Sequence, residues 1–396
     1  MTKNGKTGLI LTGGGARAAY QVGVLRAIAD LLINAGWPAE QNPFPVICGT
    51  SAGAINAAAL ACNADNFGVG LRRLERIWST IEAHHVYRAD SIAMLRSGAS
   101  WLSLLSFGWM MRRWIKMPPS SLFDNSPLVD LLNKMLDFSG LDAGLASGSL
   151  EALAITASSY TTGMHLTFYQ TLKNIEPWVR SQRLAQRDFI SVQHLLASSA
   201  IPFIFPSIPL NWSGGLEYCG DGSMRQLAPI SPAIHLGAQK VFIIGAGRMS
   251  ETKRKVPEKI AYPSIAQIAG HAMSSIFLDS LAMDIERMTR INRTLSMLPE
   301  EKRNRAELRP IEILVIAPSE RLDDIATRHV KSLPAPIRAM LGVIGATETR
   351  GAALASYLLF EPGFTNELMA LGFADAMKVK DDVLAFFIDV PATSRD

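Results

Sequence analysis

Apolar runs of five or six residues recur along this chain, and the early ones stop at glycine and give way to a helical pattern. Thr7 to Thr12 predicts a short buried strand. Gly13-Gly14-Gly15-Ala16-Arg17-Ala18 follows, and an apolar-periodic helix runs from near Ala19 to about Ala35. Phe44 to Cys48 predicts a second strand, then Gly49-Thr50-Ser51-Ala52-Gly53, then an Ala-rich, helix-prone run from Ala52 to Ala61. Further along, Pro229 to Leu236 predicts a short helix and Lys240 to Gly245 a strongly β-prone strand. Ile311 to Ile316 predicts another strand. Residues 264–298 predict a long helix, and Leu333 to Leu359 and Asn366 to Phe387 two more. Strands alternating with helices predict an α/β fold with a mainly parallel sheet. No low-complexity run or linker interrupts the chain, so residues 1–320 are expected to form one catalytic domain. Residues 321–396 are expected to form a helical extension packed on it.

Three segments carry chemistry, two of them at strand ends. Gly49 to Gly53 fits G-x-S-x-G, which sets Ser51 on a sharp strand-to-helix turn where a Cβ at either glycine would crowd the backbone. The following helix points its N-terminal N–H groups at developing negative charge. The alternative is a structural turn with an incidental serine. The triple glycine Gly13-Gly14-Gly15 lets backbone N–H groups converge on an anion. It suits an oxyanion hole, or a dinucleotide phosphate loop, because Gly13-x-Gly15-x-x-Ala18 satisfies G-x-G-x-x-G/A. A nucleotide site wants an acidic residue at the end of the second strand, and that strand ends in Cys48-Gly49-Thr50-Ser51. Cys219-Gly220-Asp221-Gly222-Ser223 holds an aspartate between glycines, either as a catalytic group on a tight loop or as an ordinary Asp-Gly turn.

Together these segments resemble the patatin-like phospholipase family, in which a glycine-rich loop with a following arginine, a G-x-S-x-G elbow and a D-G-[GA] loop recur in this order. Ala197-Ser198-Ser199-Ala200-Ile201-Pro202-Phe203-Ile204-Phe205-Pro206 is similar to the family's segment upstream of the aspartate. The resemblance implies a three-layer α/β/α fold and a Ser–Asp dyad, with Ser51 as nucleophile and Asp221 as base. Gly13, Gly14 and Gly15 would supply oxyanion donors, and Arg17 would donate beside them or hold the loop's shape. Gly49 and Gly53 would frame the elbow, and Gly222 the aspartate loop. The implied reaction is hydrolysis of acyl esters of phospholipids or lysophospholipids without a cofactor. Ala18 stands where the family often has Gly. Ser223 stands where Gly or Ala is usual, within reach of hydrogen-bonding Asp221 and altering its basicity.

The same dyad would serve a soluble esterase, a thioesterase or a polyester hydrolase, and a protein that only binds membranes is a further alternative. A Ser-His-Asp triad would need a histidine after Asp221, and His235, His271 and His329 lack a glycine-rich setting. No H-E-x-x-H or C-x-x-C occurs, so no metal site is expected. The 396 residues carry a formal net charge of +4, too weak and dispersed for nucleic acid. Three cysteines, Cys48, Cys62 and Cys219, suggest a reducing compartment. The N-terminus lacks a signal-peptide pattern. A cytoplasmic location is expected, with peripheral contact to the anionic surface of the inner membrane. Residues 85–120 are the candidate lid or docking insertion, because Trp101, Trp109 and Trp114 beside Arg112, Arg113 and Lys116 suit a membrane interface. Oligomeric state is not legible.

Overall fold

A computed structural model describes residues 5–88, 121–212, 214–248, 262–306, 308–346 and 351–388. Trp101, Trp109 and Trp114 lie outside these described residues. Among the described residues, ten strands form one sheet. They are β1 (Thr7–Leu11), β2 (Val46–Thr50), β3 (Ala152–Ser159), β4 (His165–Thr171), β5 (Val179–Arg180), β6 (Arg183–Arg187), β7 (Ile208–Trp212), β8 (Gly215–Asp221), β9 (Lys240–Ile244) and β10 (Glu312–Ile316). The central order is β10-β9-β1-β2-β3, all parallel. Beyond β3 the sheet turns mixed: β4 and β8 run antiparallel to β3, and β7 antiparallel to β8.

The parallel strands read as continuous apolar runs because both their faces are covered. Leu9, Leu11, Ile47 and Phe242 face one core, shared with α1 (Ala19–Asn34), α2 (Ala52–Ala61) and α3 (Phe67–Thr80). Ile10, Val46, Cys48 and Val241 face a second core, closed by Ile230, Ala233, Leu281 and Met288. This is the three-layer α/β/α arrangement. The long helical run after residue 264 is continuous from Ile265 to Ser296, with one wider turn at Ser275–Asp279.

The run expected as a helix over Leu333–Leu359 divides into Ala335–Val343 and Ala352–Leu358, because Gly345 turns the chain at φ 81°. The helix Pro362–Lys378 lies directly on α1, with Gly23 against the Met369 carbonyl and Gly372 against the Tyr20 carbonyl. The C-terminal helices thus share one apolar core with α1.

One detail of topology builds the site. Ala157 and Ser158 of β3 pair with β4 on one edge and with β8 on the other. That second edge is the one β2 occupies up to Thr156. β8 thus meets β2 end to end along a single edge of β3, which brings the residue after Thr50 to the last residue of β8.

Candidate active site

Ser51 follows β2 and starts α2 with φ 55° and ψ −130°, a backbone conformation that side chains other than glycine seldom adopt. Close packing forces it. A Cβ on Gly53 would lie 2.3 Å from the Leu11 carbonyl oxygen, so α2 starts hard against the end of β1 and the glycine loop beyond it. The hydroxyl of Ser51 donates to Asp221 Oδ2 at 2.6 Å. Both side chains are buried.

Burial is the main influence on Asp221. Desolvation raises its carboxyl from 3.8 to about 6, against the lowering effect of hydrogen bonds from Ser51 and Ser223. Such a carboxylate is a stronger base than one in water and is ionised above neutral pH. Tyr160, in the turn after β3, is a titratable group that feels its charge.

A short segment that the motifs do not mark as catalytic holds these two groups together. Ser198, the last residue of the helix Val192–Ser198, accepts from the Ser51 N–H through its Oγ at 2.8 Å. Its own carbonyl accepts from the Gly222 N–H at 3.1 Å, and the Ala200 carbonyl accepts from the Asp221 N–H at 2.9 Å. Beneath them, Thr50 Oγ1 and Thr156 Oγ1 lie 2.8 Å apart, and Gln226 Nε2 donates to Thr50 Oγ1 at 2.8 Å. Sequence reasoning marked residues 197–206 as a family segment without giving Ser198 a task. Thr156 and Gln226 carried no signal.

The glycine loop crosses the end of β1 next to the elbow. Gly15 has φ 55°, and a Cβ there would lie 2.2 Å from the Tyr357 carbonyl oxygen. Arg17, grouped with the oxyanion loop from sequence, sends its guanidinium to the C-terminal helices. Its Nε donates to Ser356 Oγ at 2.7 Å, and its Nη2 to Asp323 Oδ1 at 2.5 Å and to the Ala353 carbonyl at 3.2 Å. It also lies 4.0 Å over the Tyr357 ring. These bonds fit an arginine that holds the loop's shape, and they leave the direct-donor role without support. Sequence reasoning missed Ser356 and Tyr357 as partners because they come more than 300 residues later.

Beside Ser51 lies a narrow apolar cleft walled by Gly15, Ile55, Leu74, Trp78, Leu131 and Phe360. The Trp78 indole is fixed by its Nε1–H donating to Asn56 Oδ1 at 2.8 Å, and it stacks on Phe360. The cleft suits a hydrocarbon chain attached to a carbonyl at Ser51.

Two of the three histidines after Asp221 are engaged elsewhere: His235 stacks on Trp178 and His329 bonds Glu367. The three cysteines are free and buried, and burial pushes each thiol up to about 12, which keeps them protonated. Among the described residues, no group of three or more His, Cys, Asp or Glu could hold a metal ion, and no helix is long and apolar enough to cross a membrane.

No curated protein matches this chain by sequence. The solved structure of VipD from Legionella pneumophila superposes with a TM-score of 0.35 at 12% identity, over 96% of this chain and 68% of that one. The type III effector protein ExoU gives a TM-score of 0.28 at 17% identity, over 62% of this chain and 44% of that one. The model of the patatin-like phospholipases matches residues 9–234, more than half of the chain, from within β1 through the aspartate loop. This protein therefore belongs to the patatin-like phospholipase family of lipid acyl hydrolases.

Proposed function

We propose that this protein hydrolyses acyl esters of phospholipids or lysophospholipids through a Ser51–Asp221 dyad. The observation that carries the proposal is the 2.6 Å hydrogen bond between the two side chains, made beside an apolar cleft of acyl-chain character. The acyl chain lies in the cleft with its ester carbonyl at Ser51. Ser51 Oγ attacks the carbonyl carbon as its proton passes to Asp221 Oδ2. The oxyanion forms against the N–H groups of the Gly13–Gly15 loop. The tetrahedral intermediate collapses, and Asp221 returns the proton to the departing alkoxide of the lipid. A water molecule then gives its proton to Asp221 and attacks the acyl-enzyme, releasing the fatty acid and restoring the Ser51 hydroxyl. One carboxyl group alternates between base and acid, a task eased by the upward displacement of its pKa.

Gly49, Gly53 and Gly222 act through close packing, and Arg17 as a strut for the loop. Three free thiols fit a reducing, cytoplasmic setting, with peripheral contact to the inner membrane during turnover.

The deciding experiment is labelling with a fluorophosphonate probe, with the adduct located by mass spectrometry. The expected adduct is on Ser51, is absent from Ser51→Ala, and is weak in Asp221→Asn. A folded wild-type protein that takes no label, with or without added lipid, would overturn the proposal. Long-chain phospholipid, lysophospholipid, a short-chain ester and an acyl-CoA, compared by kcat/KM, then assign the substrate. Preference for the short ester or the thioester would move the activity away from lipids while leaving the dyad in place.

A further inference from the structure

The chain contains three Asp-x-Ser tripeptides, and they do not behave alike. In Asp137-Phe138-Ser139, both the Ser139 N–H and its hydroxyl donate to Asp137 Oδ1, at 3.0 and 2.6 Å. In Asp124-Asn125-Ser126, the Ser126 N–H donates to Oδ1 at 2.8 Å and its hydroxyl to Oδ2 at 3.1 Å. The third tripeptide is the aspartate loop. Its backbone half is intact, with the Ser223 N–H donating to Asp221 Oδ1 at 2.8 Å. Its side-chain half is looser. Ser223 Oγ is buried with no bond of regular geometry, yet lies near enough to Asp221 to lower its carboxyl, and it crowds Gly13, where a Cβ would lie only 2.3 Å from it.

A buried hydroxyl without a partner is unfavourable. One rotation about χ1 between staggered positions moves it. The other two turns show that a serine at this spacing reaches the carboxylate with both of its donors. We propose that Ser223 is a positioning residue for the reaction, with a hydroxyl that has two settings. Turned onto Asp221, it adds a donor to the ionised carboxylate and holds it toward Ser51. Turned fully onto Gly13, it leaves the carboxylate with one donor fewer and more basic. Ser223 thereby sets the pH above which Asp221 can take the serine proton. The inference rests on the dyad proposed above.

The groups that act on the carboxylate come from three directions: Ser51 from the elbow, Ser223 from its own loop, and, through charge alone, the Tyr160 phenol from the turn after β3. A donor to the ionised form lowers a carboxyl pKa, so removing the hydroxyl raises it and moves the acid limb of activity to higher pH.

The test is the pH dependence of fluorophosphonate inactivation of the full chain, wild type beside Ser223→Ala. The acid-limb midpoint should move up by about one unit in the variant. Inactivation would then be roughly fivefold slower at pH 6 and no slower at pH 9. Ser223→Gly also lacks the hydroxyl and should give the same midpoint. Coincident profiles, or a uniform loss at every pH with the midpoint unmoved, would overturn the role of Ser223 while leaving the dyad standing. A wild-type protein that never labels Ser51 would remove both.

Discussion

Replacing Asp221 by asparagine should make this protein more stable at alkaline pH while disabling it. The carboxyl is fully buried, and its pKa rises from 3.8 to about 6 on folding. A pKa higher in the folded state means that the folded protein holds its proton more tightly. The stability this supplies is present in full below 3.8 and is lost as pH rises through about 6. The difference of roughly two units, at 1.36 kcal/mol each, corresponds to about 3 kcal/mol lost by pH 8. Asparagine carries no charge to desolvate, so Asp221→Asn escapes this loss. The figure is a ceiling, because the amide offers one acceptor oxygen where the carboxylate uses Oδ1 for the Ser223 N–H and Oδ2 for the Ser51 hydroxyl. The measurement is thermal unfolding of wild type and variant by calorimetry at pH 4 and pH 8, beside fluorophosphonate labelling. The expected result is a variant that melts above wild type at pH 8, loses that advantage at pH 4, and labels weakly throughout. Equal melting differences at the two pH values would refute the argument that an inadequately compensated buried charge sits at this site.

Three further outcomes follow from the same geometry. Ser51→Gly should melt above Ser51→Ala, because φ 55° strains alanine but not glycine, a difference of about 1–3 kcal/mol; both should fail to label, and equal melting would argue against the strained elbow. Ser198→Ala leaves the buried Ser51 N–H without its acceptor, at a cost of about 1–3 kcal/mol, so stability and kcat should fall with KM little changed; a changed KM alone would contradict it. Leu131→Trp should fill the apolar cleft, reducing kcat/KM for long-chain lipid at least tenfold by order of magnitude while sparing a short-chain ester and probe labelling. An equal loss on both substrates would place the acyl chain elsewhere.

The local units of the fold were legible because local rules govern them. The ends of β1, β2 and β9, and the start of α2 after Ser51, follow from apolar runs ending at glycine, where the chain must turn without side-chain obstruction. The antiparallel half of the sheet was not read. β3 is buried along its whole length and shows no alternation, while β7 and β8 are partly exposed, so neither pattern marks a strand clearly. The helix expected over 333–359 broke at Gly345, where a left-handed turn outweighs the apolar periodicity.

By itself, the sequence determined the chemical groups and their order along the chain: a glycine loop, a serine on an elbow, an aspartate on a tight loop. Those identities depend on backbone constraints spanning a few residues. The tertiary structure alone decided how they meet. Ser51 reaches Asp221 across 170 residues because β2 and β8 share one edge of β3, and Ser198 ties the two ends together. It also turned Arg17 toward Ser356 and Asp323, placed Tyr357 beneath Gly15, and closed the apolar cleft with Phe360, all from a segment far along the chain. Such contacts depend on which buried surfaces pack together, and spacing along a sequence does not encode which partner a buried side chain will find.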